Sequence, residues 1–524
     1  DTFLATHLAP PRVERFTRFE AAFTKRVEHV SFTAPSGKRV ELPTFVDGDA
    51  VWRVRFSPDE TGEWQYSAGS VAGLLRCVPY AGTNALLKRG PLKISTEGHH
   101  FLHADGTPFF WLGDTVWNGP LLADMRDWRA FLSDRQSKGF NVIQFVTTQW
   151  SAAVGDATGR VPYRVNSTGK LQIDLAFFQR LDGFVDAINE AGMVAAPILL
   201  WAHTSQPKLN PGVSLSDEHA IELARHMLAR WGAHQIVWFL NGDGQYVGSA
   251  ERWKKLGRAV FTKAHPHRLS SMHPARMSWL TDTFAGEPWF HFNGYQSGHR
   301  DDEQHLRWLT TGPPATSWRR DRPIPNVNLE PNYEAHRSRV AGATHYFDAF
   351  HVRRAAYWSV LSAPPAGVTY GAHGIWSWET QRTEPLNHAG TGIAPAWNEA
   401  MRLPGSTHML HLKTLMHSVE WWKLRPAHDA LAAQPGEANA GAYVSAARTD
   451  LALIAYAPTG SVIALRDDAI ARYSQAHWYD PRTGKQAPAH GRRGRFEAPD
   501  ANDWVLLLKG QGSGAGPQAS SPER

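Results

Sequence analysis

Asp243 and Glu330 each stand just after an apolar run, Gln235-Ile-Val-Trp-Phe-Leu and Ile324-Pro-Asn-Val-Asn-Leu. Cleavage of a glycosidic bond takes such a pair: an acid to protonate the leaving oxygen, and a base or nucleophile opposite it. Each carboxylate also has a plainer reading. Gly242-Asp-Gly244 suits a turn or a helix cap. Glu330 precedes Pro331, and a carboxylate leaving a buried strand is costly unless paired or used. Around the pair the sequence supplies indoles, imidazoles, amides and phenols: Asp114, Trp117, Gln149, Trp150, Trp201, His203, Asn241, Tyr295, His299, Tyr333, Glu334, Tyr370, His373 and Trp376. These suit an oligo- or polysaccharide, because indoles offer flat apolar faces to sugar rings and an N–H to hydroxyls. Asp114 could instead cap a helix, Glu334 could act on the surroundings of Glu330, and His203, His299 and His373 are as compatible with structural roles as with ligand contact.

These residues share a position in the element pattern. From about 96 to 428, apolar strands alternate with amphipathic helices. Strands are expected at Phe109–Gly113, Asn141–Val146, Met193–Trp201, Gln235–Leu240, Arg268–Met272, Trp289–Phe292, Ile324–Leu329 and Gly374–Trp378. Helices are expected from Asp124 to Lys138, from Asp174 to Glu190, where Leu175, Phe178, Leu181, Val185 and Ile188 share a face, and from a Ser216 cap onward. Eight such units predict a (β/α)8 TIM barrel, whose active site lies at the C-terminal ends of the strands above aliphatic layers. The candidate residues fall at those ends. A doubly wound sheet fits less well, since no Gly-rich phosphate loop follows the first strand.

Residues 1–95 read as an N-terminal β-sandwich, with short alternating runs such as His29–Thr33 and turns such as Pro35-Ser-Gly. Residues 429–510 return to β character as a small C-terminal β-sandwich, and the Gly/Ser/Pro-rich 511–524 reads as a disordered tail.

Bulk properties set further bounds. The chain has 524 residues, 42% hydrophobic and 20% charged, enough for large cores. Its 22 Trp against 8 Met fit both an aromatic core and sugar platforms. The net charge of +6 is spread out, and the dense patch Arg492-Arg493-Gly-Arg495 reads as a solvated loop, so no nucleic-acid partner is expected, whereas an acidic polysaccharide stays compatible. Cys77 is the sole cysteine, which excludes an intrachain disulfide and a thiolate zinc site. No His-Glu-x-x-His or strand-end His-x-His calls for a metal, no Gly-x-Ser-x-Gly elbow calls for a serine nucleophile, and no cofactor is expected. No apolar run reaches the roughly 18 residues of a membrane span. The start at Asp1 rather than Met suggests a processed or truncated N-terminus and a secreted or periplasmic location. No feature specifies an oligomeric state. Two rival readings are a non-catalytic glycan-binding barrel, against which the retention of both carboxylates argues, and a metal-dependent hydrolase.

Several motifs together resemble one family. Phe110-Trp-Leu-Gly-Asp-Thr-x-Trp117, Gly139-Phe-Asn-Val-Ile-Gln144, Gly242-Asp243, Tyr295-Gln-Ser-Gly-His299, Leu329-Glu-Pro-Asn-Tyr-Glu334 and Tyr370-Gly-Ala-His-Gly-Ile-Trp376 resemble the barrel of the apiosidase-like glycoside hydrolases, which are related to clan A barrels. Val51-Trp-x-Val-Arg-Phe-x-Pro-x-x-x-Gly-x-Trp64 and Trp478-Tyr-Asp-Pro-Arg-Thr-Gly484 are similar to the β domains on either side in that family. The resemblance implies Asp243 as general acid/base, Glu330 as nucleophile, and net retention. The expected substrate is a plant or microbial polysaccharide, with apiosyl and arabinofuranosyl furanosides among the candidates. Asn241 departs from the family's pattern, where a second Gly is frequent, and so could contact sugar or only adjust the turn. The loops Ser151–Gly169 and Ser317–Arg322 are expected to shape a closed, exo-acting pocket.

Overall fold

The computed structural model describes residues 10–262, 266, 268–318 and 322–510. The expected disordered tail, 511–524, lies outside them. Eight parallel strands form the central sheet: β1 (Trp111–Thr115), β2 (Val142–Val146), β3 (Val194–Trp201), β4 (Trp238–Gly244), β5 (Ser270–Pro274), β6 (Asn293–Tyr295), β7 (Asn326–Asn328) and β8 (Gly367–Gly371). Their order is β5-β4-β3-β2-β1-β8-β7-β6, and β5 and β6 are not laddered. That seam is closed by the His291 N–H donating to the Ser270 carbonyl (3.0 Å) and the Ser271 hydroxyl donating to the Phe292 carbonyl (2.6 Å). The result is a nearly closed barrel with helices outside.

The helices begin where the caps predict. Asp124 caps α1 (Met125–Ser137), Asp174 caps α2 (Leu175–Glu190) and Ser216 caps α3 (Asp217–Trp231), each side chain accepting a backbone N–H of the first turn. Three later helices matter below: α4 (Glu303–Thr311), α5 (Ala349–Ser362) and α6 (Pro404–His417).

Three expectations are corrected. The last strand is Gly367–Gly371, not Gly374–Trp378, which turns back on itself with Trp376 N–H on the Ala372 carbonyl. The glycine-bounded run hid the strand, and Gly367 has to be glycine: its φ is +136°, and a Cβ there would meet the Trp111 carbonyl oxygen at 2.0 Å. The sixth strand is Asn293–Tyr295, because Trp289 and Phe290 close a turn before it. The barrel interior is aromatic and polar rather than aliphatic. Trp111, Phe239 and Phe292 pack together with centroids 5.8–6.4 Å apart. Phe101, on a small antiparallel sheet under the barrel, plugs them from below. Above, Trp111 Nε1 donates to Thr369 Oγ1, and Gln144 Nε2 donates to Thr115 Oγ1 and the Leu329 carbonyl.

Before the barrel, a five-stranded and a three-stranded sheet bury Phe23, Phe32, Phe56 and Trp64 between them. After it, a six-stranded and a three-stranded sheet bury Leu453, Ile463, Trp478 and Leu506. The arginine patch near the C-terminus is a short hairpin (Gly491–Arg492 with Arg495–Glu497), not a loop, and its arginines are exposed. Among the described residues no helix is long and apolar enough to cross a membrane.

Ion pairs fasten both sandwiches to the barrel. Arg55 of the first sandwich and Arg230 of α3 converge on Asp182 of α2, at 2.8 Å each. Arg353 of α5 grips Asp503 of the last sandwich with two bonds of 2.9 and 2.6 Å, and the Tyr456 hydroxyl donates to the same carboxylate. Both partners are at least 94% enclosed, so Asp503→Ala leaves a buried guanidinium unpaired. The expected loss of stability is about 3–5 kcal/mol, read from denaturant unfolding of the variant against the wild type.

Candidate active site

The strand β4 ends in an irregular stretch that presents Asp243. Its register against β5 shifts on both sides of Gly242. A Cβ on Gly242 would stand 2.4 Å from the Trp201 ring, so only glycine lets that indole lie against the strand. Asp243 itself adopts φ +56°, a left-handed conformation uncommon for a residue with a side chain. This places its carboxylate in a cavity of about 430 Å³ at the C-terminal ends of the barrel strands. Glu330, two residues beyond β7, enters the same cavity.

The two carboxylates have different neighbours. Glu330 Oε1 receives His299 Nε2 at 2.8 Å, His273 Nε2 stands 3.4 Å from Oε2, and the Tyr333 phenol adjoins them. Burial holds the His299 imidazole down to about 3 and lowers His273, so near pH 7 both rings are neutral, His299 as a hydrogen-bond donor to Glu330 and His273 as a close polar neighbour. Asp243 has one amide partner, Gln296 Nε2 at 3.1 Å, and His203 Nε2 lies 3.9 Å away. Burial first, and then the negative charge of Glu330, push Asp243 up to about 7. Burial also raises Glu330, while His273 and Tyr333 pull it back. With Asp243 held up to about 7, a proton near neutrality resides on the aspartate, and the donors around Glu330 favour the negative charge there.

Of the residues expected to bind substrate, Trp117, Trp150, Trp201, His203, His299, Tyr333 and Trp376 line this cavity with the two carboxylates. Trp150 is locked by Nε1 donating to Asn118 Oδ1 (2.7 Å), and Trp376 by Nε1 donating to His373 Nδ1 (3.0 Å). The structure does not bring the others to the cavity wall. Side chains alternate along a strand, and on β1 Trp111 and Thr115 point inward, which turns Asp114 outward onto the fully buried Arg135 of α1 (2.5 Å). Tyr370 likewise faces out and donates to Glu334 (2.6 Å), which also accepts the Gly405 N–H of α6. Tyr295 packs outward between Trp279 and Trp308. Gln149 is buried against Tyr163, Asn241 is fully enclosed, and His373 sits behind Trp376. Of the stretch Ser317–Arg322, residues 319–321 lie outside the described residues, and Trp318 stacks on His99 (4.3 Å) and bonds the Pro364 carbonyl instead of lining the cavity.

Several cavity residues were not foreseen. His273 and Arg276 follow the apolar run Arg268–Met272 directly, so the strand-end rule reaches them when applied to the fifth strand. Gln296 stood at the sixth strand end without a role. Arg300, His336, Arg339, Asn387 and His388 come from long loops with no period to betray them.

Comparisons with known proteins bear on the fold and the family. Residues 95–423 match the family model described as "Apiosidase-like, catalytic domain". Residues 12–71 match a domain of unknown function, and 426–509 match a model named for a collagen-binding domain of a collagenase. Among curated proteins none matches. Among solved structures, a glycoside hydrolase family 5 protein from Bacteroides vulgatus ATCC 8482 is 22% identical with a TM-score of 0.70, over 81% of this chain and 93% of that one. Another, described as a glycoside hydrolase, is 23% identical with a TM-score of 0.68, over 81% and 97%. At these identities the neighbours establish the fold, and the family model, spanning more than half of the chain, establishes that this protein belongs to the apiosidase-like family of glycoside hydrolases.

Proposed function

We propose that the protein is a retaining, exo-acting glycosidase in which Asp243 is the general acid/base and Glu330 the nucleophile. The observation that carries this reading is the unequal pair in one cavity: an aspartate raised to about 7 beside a glutamate supplied with imidazole and phenol donors. A carboxyl kept protonated at neutral pH can donate to the leaving oxygen while its partner attacks the anomeric carbon. Asp243, now ionised, then takes a proton from water, and the hydroxide displaces Glu330 to release the sugar and restore both groups.

The cavity volume falls within the ~300–1,000 Å³ of small-ligand pockets, which suits one terminal sugar better than the middle of a chain. The aromatic wall of Trp117, Trp150, Trp201 and Trp376 suits a sugar face. The family's name makes an apiosyl unit the first candidate, with an arabinofuranosyl unit, another furanoside, the next. Arg276, Arg300 and Arg339 crowd the rim closely enough to lower Arg339, after burial, through their like charges. Such a rim favours glycans with carboxylates beside the cleaved linkage.

Proton NMR of a cleavage reaction tests mechanism and mode together. The expected first product is a monosaccharide with the anomeric configuration of the substrate. An inverted first product would remove the nucleophile role of Glu330, and oligosaccharides as first products would remove exo action.

A further inference from the structure

We propose that Asp301, His345 and His351 form a zinc site that clamps two loops of the pocket wall. The site lies outside the cavity that holds Asp243 and Glu330. One ligand atom from each of the three residues falls within 4.8 Å of the others. Adjustments of about an ångström would bring them onto one ion at the ~2.0–2.2 Å that zinc makes to imidazole nitrogen and carboxylate oxygen. Two imidazoles and one carboxylate, with room for water as a fourth ligand, are a donor set suited to Zn²⁺.

The three come from separate segments: Asp301 between β6 and α4, His345 from the long loop after β7, and His351 from the first turn of α5. Each is already held. Ser338 Oγ donates to Asp301 Oδ1 (2.7 Å), leaving Oδ2 to meet His345 Nε2 (2.8 Å). Asp348 Oδ1 lies 2.7 Å from His351 Nδ1, the carboxylate–histidine arrangement that orients metal-binding rings, and this leaves His351 Nε2 for the ion. The His345 and His351 rings stand 6.1 Å apart and within 29° of parallel. His345 would ligate through the Nε2 lone pair with its ring proton on Nδ1, so the ion takes the place of the Nε2–Asp301 Oδ2 hydrogen bond. The clamp would matter to the pocket because Arg300 adjoins Asp301, while His336 and Arg339 ride on the loop that carries His345. That loop is otherwise tied to the β6 side by backbone contacts such as the Arg339 N–H on the His299 carbonyl.

The test is zinc titration of the full chain, without a polyhistidine tag, by calorimetry and equilibrium dialysis. It needs no substrate, so its outcome is independent of the hydrolase reading. The expected result is one tight equivalent of Zn²⁺ that raises the unfolding temperature. His345→Ala, at a half-exposed position, should abolish that equivalent and leave the metal-free unfolding temperature unchanged. Asp348→Asn keeps a good helix cap and should weaken zinc by about 10–100-fold, the usual effect of removing an orienting carboxylate. Cobalt(II) bound in place of zinc should give visible absorption of a four-coordinate N/O site. No stoichiometric binding, or binding undiminished in His345→Ala, would overturn the proposal.

Discussion

Glu330→Gln is expected to lower kcat/KM by at least about 10²–10⁴-fold, no less than the loss on removing a general acid, while leaving the fold intact. The substitution keeps the side chain's volume and an oxygen for His299 Nε2 to donate to. It removes the negative charge that must attack the anomeric carbon, and among the described residues no other carboxylate acts on Asp243 as strongly. It also removes the charge that helps hold Asp243 up, so the remaining aspartate should titrate below about 7. Because burial disfavours the Glu330 carboxylate, the glutamine variant should unfold at or above the wild-type temperature at pH 8. A rate loss accompanied by a lower unfolding temperature would mean that Glu330 serves the structure instead.

Asp243→Asn carries the second large effect, and its signature differs. The loss should reach about 10²–10⁴-fold on sugars with poorly departing alcohols, which need the proton. It should be smaller on activated aryl glycosides, whose leaving groups depart without help, and added azide should restore turnover on these by replacing the activated water. The pH profile gives the sign independently. Asp243 must hold its proton for the first step, so wild-type kcat/KM should fall as pH rises through about 7, and this limb should vanish in Asp243→Asn. Stability follows the same group. Its folded-state value lies above the ordinary 3.8, so the native state loses stability as pH rises from about 4 to about 7. The asparagine variant should therefore gain thermal stability over wild type at pH 8 and not at pH 4.

The parts of the fold that follow local rules were legible in the sequence. Asp124, Asp174 and Ser216 announce helices because capping is a contact within a few residues. The strand ends that carry Asp243 and Glu330 follow apolar runs long enough to be buried. Rules fail where tertiary packing decides. The barrel's last strand is bounded by Gly367 and Gly371, which packing against Trp111 and Tyr333 imposes and no hydrophobic run marks. Assigning every polar residue near a strand end to the cavity ignored the two-residue alternation that turns Asp114, Tyr295 and Tyr370 toward the helices. Arg339 and His388 reach the cavity from loops whose paths depend on contacts far away in sequence, among them Asn387 Nδ2 donating to the Ser151 carbonyl across the rim.

The roles of the two carboxylates are read from the initial rate of sugar release from a panel of aryl apiosides, arabinofuranosides, galactosides, xylosides and rhamnosides, measured for the wild type, Asp243→Asn and Glu330→Gln at equal folded concentration. The wild type is expected to cleave at least one of them, and Glu330→Gln to lose at least about a hundredfold on it, with Asp243→Asn losing most on the least activated leaving group. A glycoside cleaved as fast by both variants as by the wild type would contradict these roles.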